Sequence, residues 1–200
     1  MVKILLIRHG QTDWNIEKRA QGHTQTSLNK NGVKQAKELA EKLKNIDIKA
    51  IYSSTLSRAL QTAEIISEGH NKAISIIKNE GLTERKFGIL EGLTRKEFYN
   101  KIPDIDEKLE KNRADWKPPE GNSLRELQSQ FLETFEDIVK KHKDDEIIAI
   151  VTHGGAIKTL LVYLLKQPLE SMFQLRSPAN CEVIEIVWNK DKEKIKFNYN

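Results

Sequence analysis

Cysteine is almost absent. The 200-residue chain holds one, Cys181, which excludes an internal disulfide and a cysteine-built metal cluster. A single small thiol fits a buried apolar position. Long hydrophobic runs are missing too: none approaches the ~20 apolar residues that span a bilayer, so no membrane partner is expected. No block of Lys and Arg interleaved with aromatics occurs, which removes the usual footprint of a nucleic-acid binder. The net charge is +4, a mild excess that favours a small anionic ligand. The charges themselves alternate in sign, as in 38–42 and 107–111, in the manner of solvated helix faces. Internal repeats, low-complexity tracts and Gly/Ser linkers are absent, so one domain over 1–200 is expected. The opening stretch, Met1 to Ile7, lacks the apolar core of a signal peptide, and a cytoplasmic location is the simplest expectation.

What is present is an alternation of strand and helix patterns. Val2 to Ile7 and Ile147 to Val151 are short apolar runs, the pattern of strands buried on both faces. Ala50 to Ser53 and Ile74 to Ile77 read as further strands. Asn29 to Leu43 places Val33, Ala36, Leu39, Ala40 and Leu43 on one helical face, with Asn29 or Asn31 available as cap. Leu56 to Ser67 and Gly154 to Leu165 read as helices. Ser123 and Glu126 form a capping-box pattern that opens a long helix to about His142. Residues 81–119 are less regular, with a short helix expected at Arg95 to Lys101. Cys181 to Trp188 and Lys194 to Tyr199 read as a hairpin turned at Asn189-Lys190-Asp191. The whole predicts a three-layer α/β/α sandwich around a mainly parallel sheet with an antiparallel edge.

Ligands of such sheets bind beyond the carboxyl ends of the strands, here just after Ile7, Ser53 and Val151. Arg8 and His9 follow the first, His153-Gly154-Gly155 the last, and Arg58 follows the second in the first turn of a helix. Arginine offers a planar, permanently charged fork that matches phosphate oxygens. A glycine-opened helix favours an anion at its N-terminus. A neutral imidazole is a competent nucleophile near pH 7. One histidine could accept a phosphoryl group while the arginines and the other histidine hold its oxygens. Two histidines also raise zinc, but no His-Glu-x-x-His spacing or cysteine partner accompanies them, so no metal is expected.

The run Arg8-His9-Gly10-Gln11-Thr12, with Trp14-Asn15 after it, resembles the opening motif of the histidine phosphatase superfamily, which includes the cofactor-dependent phosphoglycerate mutases. Gln21-Gly22 with Leu28, Gly32 and Gln35-Ala36 is similar to a second block, and Tyr52 through Ala63 to a third. Glu84-Arg85-Lys86-Phe87-Gly88 with Glu91-Gly92 matches a fourth, and Val151 through Gly155 the last. The resemblance implies a phosphoglycerate mutase-like fold and a ping-pong reaction without metal or other cofactor. It makes His9 the nucleophile, and Arg8, Arg58 and His153 its phosphate pocket. It makes Glu84 the acid that protonates the departing oxygen and then the base that activates water. Asn15, Gln21, Gly22 and the Gly154 backbone would line the phosphate or substrate site, while Thr12 would order the loop. From the residues alone, Glu80, Glu91 and Glu97 remain alternatives to Glu84.

The family holds both phosphatases and mutases. The stretch from Pro118-Pro119 to Ser123-Leu124 is short where mutases carry an insertion. Gly154-Gly155 stands where mutases tend to show Gly-Asn, and Asn112-Arg113 where they show two arginines. These lean toward a phosphomonoester hydrolase acting through phosphohistidine on a small phosphorylated metabolite. The Glu84–Gly88 block and Gly92-Leu93-Thr94-Arg95 are nearer the mutase pattern and are also similar to fructose-bisphosphatase-like members. A phosphoglycerate mutase, or a non-catalytic phosphate-binding module, are the alternatives. Arg95 and Arg113 are open as ligands of a carboxylate or second phosphate, Trp14 and Trp116 as stacking surfaces, and the C-terminal edge strand as a homodimer contact.

Overall fold

The computed structural model describes residues 1–189 and, as backbone, 195–197. Six strands form one sheet: β1 (Val2–Arg8), β2 (Ile48–Ser54), β3 (Ile76–Asn79), β4 (Ile147–Thr152), β5 (Val183–Trp188) and β6 (Ile195–Phe197). Their order across the sheet is β3-β2-β4-β1-β5-β6. The first four in that order run parallel, while β5 and β6 are antiparallel to their neighbours. The helices are α1 (Asp13–Ile16), α2 (Lys30–Leu43), α3 (Ser57–Glu68), α4 (Arg95–Lys101), α5 (Ile105–Asn112), α6 (Leu124–Lys140) and α7 (Gly154–Leu164). None of the described helices is long and apolar enough to cross a membrane.

The two-residue period of a strand explains the layers. In β1, Ile4 and Leu6 pack with Phe131, Phe135 and Ile138 of α6 and with Ile157, Leu160 and Leu161 of α7. Leu5 and Ile7 point the other way, onto Leu39 and Leu43 of α2 and Ala59, Ala63 and Ile66 of α3. β4 divides in the same manner, Ile148 and Ile150 to one side and Ala149 and Val151 to the other. Both faces of these strands are covered, so neither can carry the polar alternation of a half-exposed strand. β5, nearer the edge, does alternate: Ile184, Ile186 and Trp188 are buried while Glu185 faces solvent.

Caps fall where the side chains predict them. Asn29 caps α2 by accepting from the Gly32 amide, and Ser123 with Glu126 closes a capping box on α6. Several boundaries differ. β3 begins at Ile76, two residues after the expected Ile74, which is instead buried against α2 and α3. α6 ends at Lys140. The sequence pattern predicts neither α1 nor α5. α5 has only Ile105 and Leu109 buried, too few for a clear helical stripe, and they face a separate small core with Leu90, Phe98 and Ile102. The expected turn at Asn189-Lys190-Asp191 extends beyond the described residues.

Candidate active site

The register of the central strands assembles the site. β1 and β4 are adjacent and parallel with Arg8 opposite Thr152, so the next residues, His9 and His153, leave the sheet side by side. The His9 amide donates to the Thr152 carbonyl at 2.9 Å, and the two imidazole centroids lie 5.2 Å apart. Arg58, the second residue of α3, reaches in from the end of β2.

His9 is 3% exposed. Its Nδ1 lies 2.7 Å from the Gly10 carbonyl, an acceptor only, so Nδ1–H donates and Nε2 keeps its lone pair. Burial, then the charges of Arg58 and Arg8, hold the His9 pKa well below the usual 6.5, against a smaller opposing pull from the Gly10 carbonyl. Burial chiefly, with Arg58, His9 and Arg8, does the same to His153. Each histidine is therefore neutral at neutral pH. NMR titration of both rings in phosphate-free buffer is expected to find midpoints well below 6.5, moving upward when inorganic phosphate adds negative charge beside them. A midpoint at or above 6.5 in anion-free buffer would contradict this electrostatic picture.

Arg58 is 1% exposed. It donates to the Gly22 and Thr24 carbonyls at 2.8 and 3.1 Å, and burial lowers its pKa to about 10, so it stays cationic. Arg8 donates to the Pro178 carbonyl. His153 is fully buried beside His9, its Nε2 2.8 Å from Ser54 Oγ. Among the described residues, three buried side-chain atoms lack any hydrogen-bond partner: Arg8 Nε, Arg58 Nε and His153 Nδ1. Each such orphan costs ~1–3 kcal/mol, and native structures rarely tolerate them without a ligand or strain. All three belong to the cluster around His9. With Ser54 donating to Nε2, His153 Nδ1 carries the ring proton, so all three orphans are N–H donors, a set that suits an anionic ligand.

Arg8, His9, Arg58, Asn15, Gln21, Gly22, Glu84 and Gly154 all line one cavity of about 440 Å³. Asn15 accepts through Oδ1 from the Thr12 amide and hydroxyl and from Asn180 Nδ2, which directs its own NH₂ away from these donors. Thr12 is buried and caps α1, an ordering position. Gly22 has φ +51°, and a Cβ there would sit 2.1 Å from Glu91 Oε1. The loop needs that proximity, since Glu91 accepts from the His23, Thr24 and Phe87 amides and the Thr24 hydroxyl. Burial alone would raise the Glu91 pKa; those bonds outweigh it and hold the carboxylate ionised.

Glu84 is the one acid in the described cavity wall. Its Oε1 accepts from the Arg85 amide at 2.9 Å and its Oε2 from the Gly155 amide at 2.8 Å. The open N-terminus of α7 is thus partly occupied by Glu84. The other carboxylates are placed elsewhere: Glu80 is exposed, Glu91 serves the loop, and Glu97 caps α4 and pairs with Arg19.

Sequence reasoning missed several residues. Asn180 Nδ2 donates to the His9 carbonyl at 2.9 Å as well as to Asn15. Thr62 Oγ1 accepts from the Gly10 amide. Ser54 orients His153. Lys158, one turn into α7, lines the cavity. None belongs to a pattern that periodicity or charge would single out. Of the residues left open, Arg95 pairs with Asp106 and Arg113 lies 4.9 Å over the Phe173 ring. Trp116 lines the cavity, while Trp14 is the ring nearest to Gly92. Among the described residues no three His, Cys, Asp or Glu side chains gather in a way that could hold a metal ion.

Known proteins resemble this chain over most of its length. The chain is 38% identical over 160 residues to phosphoglycerate mutase-like protein 4 of Arabidopsis thaliana, covering 79% of this chain and 69% of that one. It is 37% identical over 162 residues to the metal-independent phosphoserine phosphatase of the same organism, covering 80% and 67%. The crystal structure of phosphoserine phosphatase from Entamoeba histolytica in complex with 3-phosphoglyceric acid superimposes with a TM-score of 0.83 at 29% identity, over 100% of this chain and 98% of that one. Residues 4–200 match the family described as histidine phosphatase superfamily (branch 1), and with a fold and strand-end histidines of this kind the chain belongs to that superfamily.

Proposed function

We propose that this protein is a phosphomonoester hydrolase that forms a phosphohistidine at His9. The observation that carries the reading is the set of three orphaned buried nitrogens grouped around a neutral His9 whose Nε2 keeps its lone pair. The Nε2 lone pair attacks phosphorus, and the bond from phosphorus to the ester oxygen breaks. Protonated Glu84 gives its proton to that oxygen, releasing the alcohol. The phosphorylated ring is cationic, and the Gly10 carbonyl on Nδ1–H stabilises it. Glu84, now a carboxylate, takes a proton from water as the water oxygen attacks phosphorus. The P–N bond breaks, returning the lone pair to His9. Arg8, Arg58 and the Nδ1–H of His153 hold the non-bridging oxygens through both transfers.

Hydrolysis rather than mutase chemistry is supported by Gly155. A Cβ there would lie 2.3 Å from Glu84 Oε1, so a side chain at that position would shift the carboxylate that activates water. Relatives carry both kinds of name, phosphoserine phosphatase and phosphoglycerate mutase-like, and a direct assay separates the two. Phosphomonoesters including 3-phosphoglycerate, with and without 2,3-bisphosphoglycerate, are expected to release inorganic phosphate. A chelator is expected to leave the rate unchanged, since the positive field comes from side chains. Rapid isomerisation of 3-phosphoglycerate without phosphate release would assign the chain to the mutases instead.

A further inference from the structure

Beyond the phosphate pocket the cavity is wider and more apolar than a three-carbon ester requires. At about 440 Å³ it falls in the ~300–1,000 Å³ range of sites that enclose drug-sized ligands. Away from His9 its wall includes Leu90, Phe98, Ile105, Leu109, Trp116 and Phe173. The first four belong to the small core built by α4 and α5, so this side of the cavity is preformed. Phe173 is 50% exposed, a large aromatic at the cavity edge, with the Arg113 guanidinium over its ring.

The cations along this outer wall are mostly engaged. Arg95 is paired with Asp106 and lies over the Tyr99 ring. Arg19 is paired with Glu17 and Glu97. Arg85 donates to the Asn122 and Trp116 carbonyls and lies over the Phe87 and Trp116 rings. Arg113 and Lys158 enter no salt bridge among the described residues, and Lys158 lies in the field of Glu84. They accommodate an anionic substituent, but a small acid held by them would leave the apolar side of the cavity unfilled.

We infer that the leaving group of the preferred substrate is a bulky, largely apolar alcohol seated against the α4–α5 wall, unlike the small acids named for the two phosphoserine phosphatases. This rests on the hydrolase reading above. Burial of an apolar body in a preformed cavity contributes binding that carries into the transition state.

The test compares 2-phenylethyl phosphate, ethyl phosphate, phosphoserine and 3-phosphoglycerate with the wild-type chain. All four release an aliphatic oxygen, so differences report the cavity more than leaving-group acidity. The kcat/KM for 2-phenylethyl phosphate is expected to exceed each of the others by about tenfold or more, the scale on which apolar pockets discriminate. Phe173→Ala and Leu109→Trp are each expected to lower the ratio of 2-phenylethyl to ethyl phosphate several-fold. The first change lies on an exposed residue and does not disturb the core. A kcat/KM for phosphoserine or 3-phosphoglycerate equal to or above that for 2-phenylethyl phosphate overturns the inference and leaves the hydrolase reading intact. Absence of phosphate release from all four overturns the hydrolase reading and, with it, the inference.

Discussion

Replacing His9 with alanine is expected to reduce kcat for p-nitrophenyl phosphate by about 10⁴-fold or more, the scale of losing a covalent nucleophile. The side chain is small and its ring makes one hydrogen bond, to the adjacent Gly10 carbonyl, so the fold should survive. Two further readouts separate loss of chemistry from loss of structure. The wild type, quenched in mid-turnover at alkaline pH, should carry a phosphoramidate that ³¹P NMR detects, and His9→Ala should carry none. The variant should still bind vanadate, because Arg8, Arg58 and His153 are retained. Unchanged hydrolysis by His9→Ala would overturn the covalent mechanism.

Glu84→Gln is expected to show a loss that depends on the leaving group. For an alkyl phosphate, whose departing oxygen must be protonated, the rate should fall by about 10²–10⁴-fold. For p-nitrophenyl phosphate, whose departing phenolate is stable without a proton, formation of the phosphoenzyme should be far less affected. Its hydrolysis still needs a base, so the variant should release a rapid burst of nitrophenol equal to the enzyme present and then slow. The amide cannot accept from both the Arg85 and Gly155 amides, so some displacement is expected. Displacement alone would slow both substrates alike and produce no burst. Equal losses on the two substrates without a burst would remove Glu84 from the role of proton donor.

The strand-end location of the site was legible because β1 and β4 are buried on both faces. Continuous apolar composition marks such strands without any knowledge of their partners, and Arg8-His9 and His153 follow directly. The helix caps at Asn29 and Ser123 were legible for a related reason, since a cap is satisfied within three or four residues. Glu84 was legible only through the resemblance. Four carboxylates between 80 and 97 are equivalent by composition, and what distinguishes them is which amides and which cavity each meets after folding. α5 escaped notice because its two buried residues serve a local core rather than the main one.

The sequence alone therefore determined the layered α/β plan, the two histidines and two arginines at its functional edge, and the phosphate chemistry they imply, because local pattern and strand polarity dictate these. Only the tertiary structure decided how they meet. Strand register sets His9 beside His153, and the Gly10 carbonyl selects the tautomer of His9. The Asn180 amide, distant in sequence from His9 and Asn15, ties the two together. The apolar wall under α4 and α5 exists only once they pack over the sheet's end. These are contacts between residues remote along the chain, and no local period encodes them.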